Sequence, residues 1–273
     1  MAAADATHSA TESRPDRVID LTHGTAPTQS SPNMIGRADE LDRLGAAFEA
    51  ASGGRALAVL VGGDAGIGKS RLVEEFCDVV RLRGAAVATG VCVPTDGGLA
   101  FAPVMGILRN IGDQLGHPPS ITQLLHALDG DSAVATSAPA ETGLGTATAG
   151  LPAGGTLAGG AFAKTALFES ILQSLIDLAQ KSPVVLVFED LHWVDSASSQ
   201  LFDFLVRNLG DARVLTIGTF RTDELGNDHP LTAWFAEFGR HPRVTQLVLA
   251  PLGREDLAAL MSAALGEPPS AAR

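Results

Sequence analysis

Apolar positions along this chain follow two periods that take turns. Short apolar-rich runs occupy 55–61 (RALAVLV), 85–93, 183–188 (PVVLVF) and 213–220, and 244–249 is read as a further strand. Runs of that length, bounded by polar and glycine-rich stretches, predict buried strands. Between them lie stripes with a helical repeat. Leu41, Leu44, Ala47 and Phe48 mark a helix over 37–51, and Leu72, Val73, Phe76, Val79 and Val80 mark one over 69–83. Leu167, Phe168, Ile171, Leu172, Leu175 and Ile176 align on one face of a helix over 164–180. Weaker stripes predict helices over 103–115, 121–128, 196–209, 231–238 and 254–265.

Continuous apolar strands alternating with helices imply a parallel sheet covered on both faces. Right-handed crossovers then build a doubly wound, five-stranded α/β domain. Two segments break the pattern. Residues 1–32 are rich in Ala, Thr, Ser and Pro with no apolar period, so they are expected to form a disordered tail. Residues 129–163 read as a flexible Ala/Gly-rich insertion, for between Ser132 and Gly160 the only charge is Glu141. A linker is the favoured reading of that stretch, with a functional lid as the alternative.

Composition narrows the function classes. The chain has 273 residues, 19 Lys+Arg against 31 Asp+Glu, and a formal charge of −12. That balance argues against DNA binding by this chain, which would need a basic footprint. The apolar run 184–188 is far short of the roughly 20 residues that span a bilayer. The N-terminal residues lack the charged and apolar regions of a secretory signal, so a cytoplasmic protein without membrane partners is expected. Cys77 and Cys92 are the only cysteines. They are read as buried thiols, and the scattered histidines offer no zinc spacing.

The most specific segment is Gly63-Asp64-Ala65-Gly66-Ile67-Gly68-Lys69-Ser70, followed by Arg71. It fits G-x-x-x-x-G-K-[ST] at every fixed position, after a predicted strand and before a predicted helix. Glycines let such a loop turn its backbone N–H groups toward phosphates, and the helix N-terminus adds partial positive charge. Lys69 reaches the β- and γ-phosphates and Ser70 ligates Mg²⁺. The predicted fold is therefore a P-loop NTPase. Such a loop calls for acids at the end of another buried strand, where Glu189 and Asp190 stand. One can hold Mg²⁺ and the other can orient water; the sequence leaves their assignment open. Arg221 ends a third strand, where it could sense the γ-phosphate or pair with those acids.

Four further segments carry a family resemblance. Ile35-Gly36-Arg37-Ala38-Asp39-Glu40-Leu41 resembles the hGRxxEL box of AAA-related signalling ATPases. Glu189-Asp190-Leu191-His192-Trp193-Val194-Asp195 resembles the EDLHWAD signature, and 218–224 (GTFRTDE) resembles GTYRxDE. Residues 251–256 (PLGRED) resemble the start of the family's lid helices. Together these resemble the ATPase domain of large ATP-binding LuxR-family transcriptional regulators, a domain shared with some cyclases and kinases of the STAND class. The resemblance implies Ile35, Gly36 and Arg37 near adenine, Glu189 and Asp190 as Walker B acids, and Arg221 as a sensor-like arginine. It implies an ATPase domain over 33–250 and the start of a helical lid over 251–273, with the chain cut before the rest of the lid and the helix-turn-helix. His192 and Trp193 are read as structural.

The expected function is thus a regulatory ATPase that binds ATP·Mg²⁺, hydrolyses it slowly and switches between ATP and ADP forms. Self-association or an effector protein would be its partners. The alternatives are an oligomeric ATP-driven remodeller and a regulator remnant without enzymatic activity. The remodeller would need an arginine finger, for which Arg207, Arg213 and Arg240 are candidates.

Overall fold

A computed structural model describes residues 34–94, 100–135, 157–225, 229 and 231–265. The chain opens with α1 (Ala38–Ser52), β1 (Leu57–Gly63) and α2 (Lys69–Leu82), then β2 (Ala86–Val91) and three helices: α3 (Ala102–Leu115), α4 (Pro119–Ala135) and α5 (Leu157–Lys181). It continues through β3 (Val184–Glu189), α6 (Ser196–Asn208), β4 (Val214–Arg221), α7 (Thr232–Phe238), β5 (Val244–Val248) and α8 (Arg254–Leu265).

The five strands form one sheet in the order β2-β3-β4-β1-β5, and every pairing is parallel. This is the doubly wound α/β sheet that the alternating pattern predicts. β1, β3 and β4 are buried along nearly their whole length, as unbroken apolar runs require. Alternate residues feed two cores. Val59, Val61, Val185, Val187, Leu215 and Ile217 pack under α1 and α2. Ala58, Leu60, Val184, Leu186 and Phe188 face the opposite way, against α3, α5 and α6.

Three details depart from expectation. α4 runs on to Ala135 and α5 starts at Leu157, so both helices enter the 129–163 stretch expected to be a flexible insertion. Adding residues to a formed helix avoids the nucleation cost, so each helix runs on through neighbouring positions, some of them alanine, without an apolar stripe of its own. Residues 136–156 of that stretch, like the expected 1–32 tail, lie outside the described residues. Three strands end one or two residues later than expected, β1 at Gly63, β3 at Glu189 and β4 at Arg221, while β2 ends at Val91 and β5 at Val248, short of the expected 93 and 249. Finally, residues 191–193 form a 3-10 turn that no periodicity announces.

Two packing devices fix the β2 edge. Gly90 lets α3 lie directly on the strand: a Cβ there would sit 1.9 Å from the Pro103 carbonyl oxygen. The unpaired flank of β2 is covered by α3 side chains. Thr89 N–H donates to Asn110 Oδ1 at 3.0 Å, and Gln114 Nε2 donates to the Val87 carbonyl at 2.6 Å. Those two bonds occupy ladder groups in the middle of that edge.

Candidate functional site

In a parallel sheet the loops that follow the strands gather at one edge, which is where ligands bind in open α/β folds. Here the loop after β1, the end of β3 and the end of β4 meet there. Gly63 stands in register with Arg221, and Phe188 with Gly218.

The loop 63–70 has the form a phosphate cradle needs. Gly66 and Gly68 take φ of 74° and 100°, the left-handed region where glycine alone is unstrained, and added Cβ atoms would meet nothing within 4 Å. The loop leads straight into α2, whose first-turn N–H groups are free to face an anion. Lys69 is buried, and its Nζ donates to the loop's own carbonyls at Gly63 (2.8 Å) and Asp64 (2.9 Å). Burial, followed by repulsion from Arg221, lowers the Lys69 pKa. An anion placed between these two cations relieves that repulsion, so the site is electrostatically suited to phosphate.

The acids divide by environment. Ser70 Oγ donates to Glu189 Oε2 at 3.3 Å, which brings together the hydroxyl and carboxylate expected to serve Mg²⁺. Burial pushes the Glu189 carboxyl up, partly offset by the Ser70 hydrogen bond. A hydroxyl and a carboxylate side by side at the solvent-facing edge of the sheet suit a hard cation, and Mg²⁺ commonly takes only one or two protein ligands. Asp190 has different neighbours. It adopts φ 56°, unusual outside glycine but tolerated by Asp, and its N–H donates to Thr219 Oγ1 at 3.0 Å. Its carboxylate lies 3.9 Å from His192 Nδ1.

Arg221 pairs with Glu224 three residues on, rather than with Glu189 or Asp190. Thr222 joins this segment to the loop: its Oγ1 donates to Asp64 Oδ1 at 2.8 Å and its N–H to the Gly63 carbonyl at 3.3 Å. Sequence reasoning did not single out Thr219, Thr222 or Glu224, although all three lie inside the quoted 218–224 segment. Asp195, the last residue of the 189–195 motif, is a helix cap: its Oδ1 accepts from the N–H groups of Ala197 and Ser198, and from Phe101 at 3.4 Å.

A pocket of about 220 Å³ opens beside the loop, lined by Met34, Ile35, Arg37, Gly66, Ile67, Gly68, Arg71, Leu252 and Leu260. Its apolar walls and its place next to the phosphate cradle suit a flat heterocycle. Ile35 is among the lining residues. Arg37 is too, but its guanidinium is buried and spent on protein partners: Glu40 Oε1 (3.0 Å), the Ile67 carbonyl (3.2 Å) and the Ala250 carbonyl (2.8 Å). Gly36 carries no lining atom. Its role is close packing, since a Cβ there would fall 2.6 Å from Asp256 Cγ in α8. Leu252 and Leu260, both beyond β5, were not foreseen as lining.

Of the arginines weighed as fingers, two are committed within the chain. Arg213 donates to the Ala179 and Gln180 carbonyls at the end of α5, and Arg207 holds Asp203 at 2.8 Å. Arg240 is exposed. No described helix is long and apolar enough to cross a membrane.

The family model for the AAA ATPase domain matches residues 33–217. The chain belongs to this family. An uncharacterised protein of Rhizobium meliloti (strain 1021) is 24% identical over 227 residues, 82% of this chain and 21% of that protein. The chain thus spans about a fifth of that relative's length. Among solved structures, Cdc6p from Pyrobaculum aerophilum superposes with a TM-score of 0.50 at 14% identity, covering 90% of this chain and 54% of that one. The replication initiator DnaA bound to AMPPCP and single-stranded DNA gives 0.47 at 11% identity, covering 90% and 58%. At such identities the likeness to Cdc6p speaks for the fold alone.

Proposed function

We propose that this AAA ATPase domain is a nucleotide-dependent switch that binds ATP·Mg²⁺ and hydrolyses it slowly, as a module of a LuxR-type transcriptional regulator. The observation that carries the nucleotide reading is the meeting of Lys69, the Ser70–Glu189 pair, Asp190 and Arg221 at one sheet edge, around a glycine-turned loop. The regulatory context rests on the resemblance of the 35–41, 189–195 and 218–224 segments.

In this reading the loop N–H groups of 63–70 and Lys69 hold the phosphates, and Arg71 adds positive charge at the same helix start. The base enters the pocket between Ile35, Ile67 and Leu260, closed from above by α8, the start of a lid. Arg37 acts behind the pocket, fixing Ile67 to Ala250. Ser70 and Glu189 hold Mg²⁺, because they are the two oxygen ligands already in contact. Bound Mg²⁺ would neutralise charge on the phosphate oxygens. Asp190 then orients the attacking water and takes up its proton.

Calorimetry and thermal shift with ATP·Mg²⁺ test this. The wild type should gain stability, about 2.7 kcal/mol at a hundredfold excess over Kd, and Lys69→Ala should gain little. Identical binding by the two overturns the site assignment. Turnover that stays low and flat as protein concentration rises supports the switch; turnover rising with concentration favours the assembled remodeller.

A further inference from the structure

His192 is a buried ionisable side chain at the end of β3 that the mechanism above does not use. Its side chain is 1% exposed, and neither ring nitrogen makes a hydrogen bond among the described residues. Buried polar groups without partners are rare and call for an explanation. The ring is not remote from partners, however. Nε2 lies 3.2 Å from Glu224 Oε2 without hydrogen-bond alignment, and Nδ1 lies 3.9 Å from Asp190 Oδ1. Substrate binding commonly tightens such contacts.

The other oxygen of the same Glu224 carboxylate accepts from Arg221 Nη1. One carboxylate therefore bridges a buried imidazole and the arginine that faces Lys69 across the sheet edge. We propose that His192 and Glu224 are positioning residues that aim Arg221 at the terminal phosphate of a bound nucleoside triphosphate. This rests on the nucleotide-site reading above.

Three physical points support it. Arg221 is close enough to Lys69 to disfavour its charge, and the same guanidinium is held by the Glu224 carboxylate. The guanidinium presents five donors, so engagement of Nη1 by Glu224 leaves others for phosphate oxygens. The segment is also held at a second point, where Thr222 bonds to Asp64 of the loop. A free Glu224 would have several rotamers, whereas one braced by His192 holds Arg221 in a single direction. An apolar residue at 192 could fill the space but could not brace a carboxylate.

The test is the preference for triphosphate over diphosphate in the full chain, with Kd for ATP·Mg²⁺ and ADP·Mg²⁺ measured by calorimetry. Glu224→Ala and His192→Ala should each lower ATP affinity about tenfold and leave ADP affinity within about twofold. His192→Gln, which offers an amide N–H to Glu224, should recover part of the ATP preference. Glu224 is only part-buried, so its variants keep the test open if His192→Ala fails to fold. Equal losses for ATP and ADP, an unchanged preference, or a wild type without preference overturns the proposal. So does a rise in ATP affinity, which would make Glu224 a restraint on Arg221. Loss of the nucleotide reading itself would show separately, as unaltered ATP binding by Lys69→Ala.

Discussion

Cys77 and Cys92 sit one in each core, on opposite faces of the sheet. Burial pushes the Cys77 thiol up to about 11 and the Cys92 thiol up to about 12. At neutral pH both stay protonated and shielded, so the native chain should resist alkylation that the unfolded chain accepts readily. Mass spectrometry after timed iodoacetamide exposure checks this; fast native labelling would contradict the burial. The raised values also set a direction for stability. The folded chain holds these protons more tightly than the unfolded one, so stability is unaffected well below pH 9.0 and falls as pH climbs from there toward about 11–12. The double variant Cys77→Ala/Cys92→Ala should lose less stability over that alkaline range. The comparison is of slopes, so any cavity cost common to all pH values cancels.

At the scale of elements, the contact of α3 with β2 depends on Gly90. Gly90→Ala would drive a Cβ to 1.9 Å from the Pro103 oxygen, a backbone atom that cannot swing aside. It should cost about 3 kcal/mol in urea unfolding, as overpacking at a rigid contact does. Gly45→Ala is the matched control. Gly45 lies within α1 with nothing within 4 Å of the added methyl, so it should stabilise by about 0.5–1 kcal/mol. If both substitutions cost the same, α3 is not seated where the close contact puts it. Element identity was legible because helices and strands bury faces of different period. Lengths were less so: the flanks that extend α4 (129–135, DGDSAVA) and α5 (157–163, LAGGAFA) carry no apolar stripe to announce them. The 3-10 turn over 191–193 was also illegible, because a single turn has no period.

At the scale of the molecule, Arg37 ties three distant segments together. Its guanidinium links the start of α1 to the phosphate loop at Ile67 and to the end of β5 at Ala250, 213 residues away. Arg37→Ala strands Glu40 and two carbonyls, and should cost about 3 kcal/mol. Arg37→Lys should recover little, because one ammonium cannot reproduce the fork. Both variants should also weaken ATP binding, by loosening the Ile67 wall of the pocket. Urea unfolding paired with calorimetry checks this. Wild-type stability in Arg37→Ala would mean that the buried guanidinium does not link these segments.

The sequence by itself determined the layered α/β fold and the phosphate loop. Both rest on local rules: apolar period decides element type, and G-x-x-x-x-G-K-[ST] encodes a turn whose backbone and lysine come from neighbouring positions. Tertiary structure decided the rest of the site. The contacts of Ser70 with Glu189, Asp64 with Thr222 and His192 with Glu224 cross between loops after different strands. Such contacts follow from the strand order β2-β3-β4-β1-β5 and from exact strand ends, which long-range packing of the two cores selects. The same holds for Leu252 and Leu260, which reach the pocket only because β5 lies beside β1 and returns the chain to the loop. A periodic pattern shows which face of a strand is buried; only the assembled sheet decides which strand lies next to it.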